Sequence, residues 1–355
     1  MDRRQALALG GAGVIATLLG PSLAVMAHEH PPATTASGID PIAFLDPELR
    51  PMAQAMFSPE GTNFTVESLA AIRAGSAANA QPPSPDVPVE ELRIPGLPGQ
   101  PEVVAFLVNG GQPGARPGIV HTHGGGHILG AARNELADLQ QLATELDCMV
   151  LTIDYRLAPE TRYTGSVADN YAALKWFHGA AANIGLDPQR IAVMGESAGG
   201  THAALLAIEA RDRGEVPVCF QCLVYPMLDD RTGSTVPVPD HIGRILWDAR
   251  SNRFGWTQFL GVDAGSAAVP AAGVPARTES LAGLPPAWIG TGGADLFMAE
   301  DMAYAQRLTE AGGAAELLLA PRAFHAFDKL VPQAQVSQRF TAAKVDALRR
   351  AFAAG

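Results

Sequence analysis

The sequence predicts an α/β fold, a mostly parallel central sheet flanked by helices, with helical cap segments outside the sheet. Three observations carry that expectation. Short apolar runs of the kind buried on both faces of a sheet recur at 119–122, 190–194, 216–225, 286–291 and 315–319. Helical patterns follow at 198–211, 298–311 and 335–353. The loops where strands end carry the residues able to do chemistry.

The most informative of these loops is Gly195-Glu-Ser197-Ala-Gly199, between the strand at 190–194 and the helix at 198–211. A G-x-S-x-G turn of this kind is a nucleophile elbow: the backbone at the serine is strained and only glycines two residues away allow strand and helix to approach so closely. Ser197 is thereby lifted into a cleft as a candidate nucleophile. The helix starts at the same point, so the Ala198 N–H is left unpaired and aimed where a tetrahedral intermediate would carry negative charge.

Upstream, Ile119-Val-His121-Thr-His123-Gly124-Gly125-Gly126-His127 ends a strand in three glycines. Glycines let successive peptide N–H groups turn inward, so Gly124 and Gly125 can donate to the same oxygen as Ala198. His123 reads as a brace for this loop rather than as a base, because the base is expected after the serine in the chain. A metal reading of His121, His123 and His127 is disfavoured, since no carboxylate follows at ligand spacing.

Downstream, Asp295 follows the strand at 286–291, and His325 follows the strand at 315–319. The order Ser197, Asp295, His325 places nucleophile, acid and base as in one of the known serine-hydrolase arrangements. A helix-capping role is the structural alternative for Asp295. Glu300 and Asp301 read as first-turn charges facing the positive end of the helix at 298–311.

On four segments the chain resembles the bacterial hormone-sensitive-lipase-like (family IV) carboxylesterases of the α/β-hydrolase fold. They are His123-Gly-Gly-Gly126, Asp154-Tyr-Arg-Leu-Ala-Pro-Glu160, Gly195-Glu-Ser-Ala-Gly-Gly200, and the pair formed by Asp295 to Glu300 with His325-Ala-Phe327. The resemblance implies a serine esterase that forms an acyl-enzyme, with Ser197 as nucleophile, His325 as base, Asp295 as acid, and an oxyanion hole of Gly124, Gly125 and Ala198. It implies no cofactor and no metal, and a small-molecule ester of short to medium acyl length as substrate. His123, Glu196 and Asp154 would support the site, with Asp154, Arg156 and Glu160 in a buried polar turn. His127, Leu296 and Phe327 would fall at the substrate pocket. Glu196 stands where the family usually has Asp, Leu296 replaces a usual Pro and Ala326 a usual Gly. The same triad could serve a lactonase or amidase, and a non-catalytic binding protein of this fold is the rival from another class. A homodimer is compatible with the resemblance.

A chain of 355 residues with 47% hydrophobic content can bury one large core, and a net charge of −11 without a basic cluster argues against nucleic acid as a partner. Residues 1–27 read as a twin-arginine-like signal, with Arg3-Arg4 ahead of an apolar stretch and Val25-Met-Ala27 at its end. Export to the periplasm or beyond follows, with no stable membrane association once the signal is cleaved; an uncleaved anchor is the alternative. Residues 28–90 read as linker and N-terminal cap helices, at 41–56 and 66–76. Residues 91–355 form the catalytic domain with a cap insertion at about 229–285, whose aromatics Trp247, Phe254, Trp256 and Phe259 recur at helical spacing. Cys148, Cys219 and Cys222 do not make a disulfide framework, the last two being read as strand residues on opposite faces.

Overall fold

Successive residues of the central strands go to opposite layers of the molecule, and that alternation builds the structure. In the computed structural model, which describes residues 36–78, 81–112 and 114–354, Val193 packs on one side of the sheet and Ala192 and Met194 on the other. The same split separates Leu223 from Cys222 and Val224, and Ile289 from Trp288. The expected signal, residues 1–27, lies outside the described residues.

The strands are β1 (Val89–Ile94), β2 (Val103–Val108), β3 (Arg116–Thr122), β4 (Met149–Asp154), β5 (Leu186–Glu196), β6 (Phe220–Val224), β7 (Ala287–Gly292) and β8 (Ala315–Ala320). They form an eight-stranded sheet in the order β1-β2-β4-β3-β5-β6-β7-β8. Pairings β1–β2 and β2–β4 are antiparallel and the rest parallel. All the parallel strands therefore end on one edge, where loops from β3, β5, β7 and β8 meet.

The helices are α1 (Pro41–Phe44), α2 (Arg50–Met56), α3 (Val66–Ala78), α4 (Leu136–Leu146), α5 (Tyr163–Gly179), α6 (Ala181–Ile184), α7 (Ala198–Arg213), α8 (Ala249–Leu260), α9 (Met298–Glu310), α10 (Phe327–Leu330) and α11 (Gln335–Ala354). Apolar faces of α5, α7 and α9 cover one side of the sheet, and those of α4 and α11 the other. α7 crosses the middle of its layer, so Gly199, Gly200, Ala203, Ala204 and Ala207 are all buried. Its small residues permit that depth. Gly214 then ends the helix in a left-handed turn.

Three expectations change. The patch at 41–56 is two short helices, because Asp46 turns the chain by accepting the Glu48 N–H across Pro47. The insertion at 229–285 contains α8 and two 3₁₀ turns, and much of it is irregular backbone held by the buried Asp230 carboxylate, which receives the Arg277 guanidinium and the Gly265 N–H. Cys219 precedes β6 instead of lying in it, so strand alternation does not apply and it packs against the same layer as Cys222. All three cysteines are free thiols, and burial pushes Cys148 and Cys222 up to about 12 and Cys219 to about 11.

The segment ahead of α3 runs over the insertion. Asp240 accepts from Ser37 Oγ, Asp248 accepts from the Thr62 N–H, and Arg244 and Arg250 donate to the Pro59 and Glu60 carbonyls. Among the described residues, no helix is long and apolar enough to cross a membrane.

Candidate active site

Ser197 occupies a backbone conformation, φ 56 and ψ −122, that an L-residue adopts only when its surroundings impose it. The surroundings are close: a Cβ at Gly195 would lie 2.3 Å from the Gly199 carbonyl oxygen, and one at Gly199 would lie 2.0 Å from that of Thr122. The Ser197 N–H donates to the Val224 carbonyl at 2.9 Å, tying the elbow to β6.

Asp295 and His325 converge on this serine from the ends of β7 and β8. Ser197 Oγ lies 2.9 Å from His325 Nε2, and His325 Nδ1 lies 2.8 Å from Asp295 Oδ2. The other Asp295 oxygen accepts the Phe297 N–H at 3.0 Å. Asp295 thus serves the turn before α9 and the imidazole with different oxygens, so capping and orienting coexist. Tyr225 and Phe297 stand edge-on to the His325 ring at 4.9 and 5.2 Å, fixing its plane. Ala326 takes a left-handed conformation, φ 59, at the position where the resemblance sets glycine against this chain's alanine.

The glycine loop after β3 closes the other side. Gly125 has φ 126, and a Cβ there would meet the Leu129 carbonyl oxygen at 2.2 Å, so the loop demands glycine. Among the described residues, the N–H groups of Gly124, Gly125 and Ala198 have no backbone acceptor. His123 Nδ1 donates to the Gly124 carbonyl at 2.8 Å, its ring stacks on Tyr155 at 4.3 Å, and the Tyr155 hydroxyl donates to the His123 carbonyl. Burial lowers the His123 pKa and favours the neutral ring.

Glu196 is held by a neighbouring strand rather than by the triad. Its carboxylate receives His121 Nε2 at 2.9 Å, and His121 Nδ1 contacts Thr152 Oγ1 at 2.9 Å. Burial opposes ionisation of Glu196, but Lys329 and His121 outweigh it and hold the carboxyl below its ordinary range. His121 and His123 thus engage separate partners. Among the described residues, no group of three or more His, Cys, Asp or Glu is arranged to hold a metal ion.

Several residues stand elsewhere than expected. Asp154 and Glu160 are exposed: Asp154 accepts the Ala132 N–H and Glu160 pairs with Arg73 of α3. Arg156 forks onto the buried Asp169. The turn is therefore a surface clasp, because the motif lies after β4 where the chain leaves the sheet. His127, Leu296 and Phe327 do not line the cavity beside Ser197. His127 has φ 67 and stacks on Phe259 of α8 at 3.9 Å, Leu296 abuts Gly243, and Phe327 packs on Phe340. Glu300 and Asp301 do fall in the first turn of α9, but buried. Glu300 accepts the Leu228 and Asp229 N–H groups, and burial pushes both carboxyls well above their ordinary values, which works against the first-turn charges expected.

The cavity itself, about 150 Å³, is lined by the apolar Met56, Phe64, Leu129, Leu246 and Trp247 and by the charged Glu135, Glu196 and Lys329, among others. Trp247 was visible in the sequence as an insertion aromatic, and its ring lies where a Cβ on Gly126 would come within 2.0 Å. Glu135 and Lys329 gave no signal, since a 3₁₀ turn and a four-residue helix bring them in.

Behind the glycine loop, His127 and His202 pack among Tyr155, Trp256 and Phe259, and their ring nitrogens have no hydrogen-bond partner among the described residues. Burial lowers His202 to about 3, so the folded protein binds this proton more weakly than the unfolded chain does. The resulting stability is present above the ordinary histidine value, about 6.5, and is lost as pH falls toward about 3. His202→Phe is expected to flatten the fall of unfolding free energy below about pH 6.5, by up to about 1.4 kcal/mol per pH unit, and with it the fall of melting temperature. Parallel melting curves for the two proteins would show that the proton is taken up elsewhere.

An eight-stranded sheet of this order, with serine, acid and histidine at the ends of β5, β7 and β8 and glycine-rich turns facing them, defines a protein of the α/β-hydrolase class. Residues 119–329 match the family described as alpha/beta hydrolase fold, and the chain belongs to that family, in its hormone-sensitive-lipase-like (family IV) branch. It is 35% identical over 213 residues to the esterase LipI of Mycobacterium tuberculosis, covering 59% of this chain and 65% of LipI. To the carboxylesterase NlhH of the same organism it is 35% identical over 240 residues, covering 66% of this chain and 74% of NlhH. Among solved structures, a bacterial heroin esterase aligns with a TM-score of 0.77 at 36% identity, covering 88% of this chain and 99% of that one.

Proposed function

We propose that this carboxylesterase works through an acyl-enzyme on Ser197. The observation that carries the reading is the continuous chain from Asp295 through His325 to Ser197 Oγ, with contacts of 2.8 and 2.9 Å at the mouth of the cavity. Ser197 Oγ attacks the ester carbonyl carbon as His325 Nε2 takes its proton, and Asp295 holds Nδ1–H and stabilises the imidazolium. The oxyanion is received by the N–H groups of Gly124, Gly125 and Ala198, which are already oriented and need no reorganisation. His325 returns the proton to the departing alcohol, and water attacks the acyl-enzyme by the same route.

The modest cavity and its Trp247 and Phe64 walls support short to medium acyl chains. The test is a burst assay on p-nitrophenyl acetate, butyrate and octanoate. A stoichiometric first release of nitrophenol and an acyl mass on Ser197 are expected, with turnover of acetate and butyrate above that of octanoate. Turnover without any covalent acyl intermediate would overturn the mechanism.

A further inference from the structure

The lining of the cavity beside Ser197 also bears an ion pair that the ester reaction does not use. Lys329 Nζ donates to Glu135 Oε2, with both side chains largely withdrawn from water, and both residues line the cavity with Ser197 and His325. Burying such a pair carries a desolvation cost that an apolar pair of similar size avoids, so stability alone gives no reason for it here. An ammonium has three N–H donors, and among the described residues Glu135 takes one.

We propose that Lys329 and Glu135 form a polar subsite that selects esters carrying a neutral oxygen function, a keto or hydroxyl group, several bonds from the scissile carbonyl. The proposal rests on the ester-hydrolase reading above. Lys329 donates to the substrate oxygen. When that oxygen is a hydroxyl, Glu135 accepts its proton in a hydrogen bond. A carboxylate is disfavoured by charge: among the described residues, the cavity lining sets the carboxyls of Glu135, Glu196 and Asp248 against the two cations Lys329 and Arg244. A plain alkyl chain reaching the pair leaves its polar atoms facing hydrocarbon, which a site built for hydrogen bonding penalises. The subsite therefore discriminates in both directions, against bare alkyl and against anions.

The experiment compares kcat/KM for matched esters, each corrected for its hydroxide-catalysed rate. The pairs are p-nitrophenyl 4-oxopentanoate against p-nitrophenyl pentanoate for the acyl side, and 4-hydroxybutyl acetate against butyl acetate for the alcohol side. p-Nitrophenyl monosuccinate supplies the anion. The oxygen-bearing ester is expected to be favoured about tenfold in one pair, which also says which side of the ester meets the subsite, with monosuccinate the poorest. In Lys329→Met/Glu135→Leu, checked for folding by its melting curve, the favoured ratio is expected to fall toward one. Absence of preference in both wild-type pairs overturns the subsite while leaving the esterase intact, and needs no variant. Persistence of the preference in the folded double variant also overturns it. No turnover of any ester by wild type removes the esterase reading itself.

Discussion

Ser197→Ala is expected to lower kcat for ester hydrolysis by on the order of 10⁶-fold with little change in substrate affinity, because the nucleophile acts only in the chemical steps. Three features of the structure concentrate that effect in one atom. Ser197 Oγ is within 2.9 Å of the only imidazole that Asp295 orients among the described residues. The elbow holds it in a strained conformation, and the three candidate oxyanion donors surround its position. The strain makes a companion result: Ser197→Gly, inactive as well, is expected to be more stable than Ser197→Ala by about 1 kcal/mol, since glycine adopts φ 56 without penalty. Denaturant titration of the two variants reads this directly. Retained hydrolysis in Ser197→Ala would remove the serine mechanism.

Asp295→Asn is expected to cost about 10⁴-fold in kcat. The reasoning follows from the separate duties of the two oxygens. The Phe297 N–H requires an acceptor on one arm, so an asparagine keeps its carbonyl there and turns its amide nitrogen toward His325 Nδ1. The imidazole must then carry its proton on Nε2, where it can no longer accept from Ser197. The loss is in tautomer, not in geometry, and folding should survive. Activity of Asp295→Asn within tenfold of wild type would show that another group orients His325. Asp301, buried nearby in the first turn of α9, is the residue to substitute next.

Local motifs were readable because their chemistry depends on short-range backbone demands. The Gly195–Gly199 spacing is required by contacts of 2.3 and 2.0 Å that any reader of the turn can anticipate. The glycines at 124–126 announce a loop of left-handed and extended backbone in the same way. Strand positions followed from apolar runs buried on both faces, and the chain order of Ser197, Asp295 and His325 followed from the strands they terminate. Where the expectation depended on a side chain's distant partners, it went astray. His127 stands beside the glycine loop in sequence, yet its left-handed backbone swings the ring onto Phe259 of α8 and out of the cavity. Glu160 is five residues past the buried Tyr155 by motif, but it meets Arg73, 87 residues away, at the surface.

By itself, then, the sequence determined five of the eight strands, the two glycine turns and the identity and order of the three residues at the strand ends, since each is written in contacts between near neighbours. Only the tertiary structure decided what surrounds them. The cavity is assembled from Met56 and Phe64 ahead of the sheet, Trp247 in an irregular insertion, and Glu135 and Lys329, which lie 194 positions apart. No periodicity links such residues. Their meeting depends on how α2, the segment ahead of α3, the insertion and α10 pack on the finished sheet, and packing between distant segments leaves no local pattern in the chain.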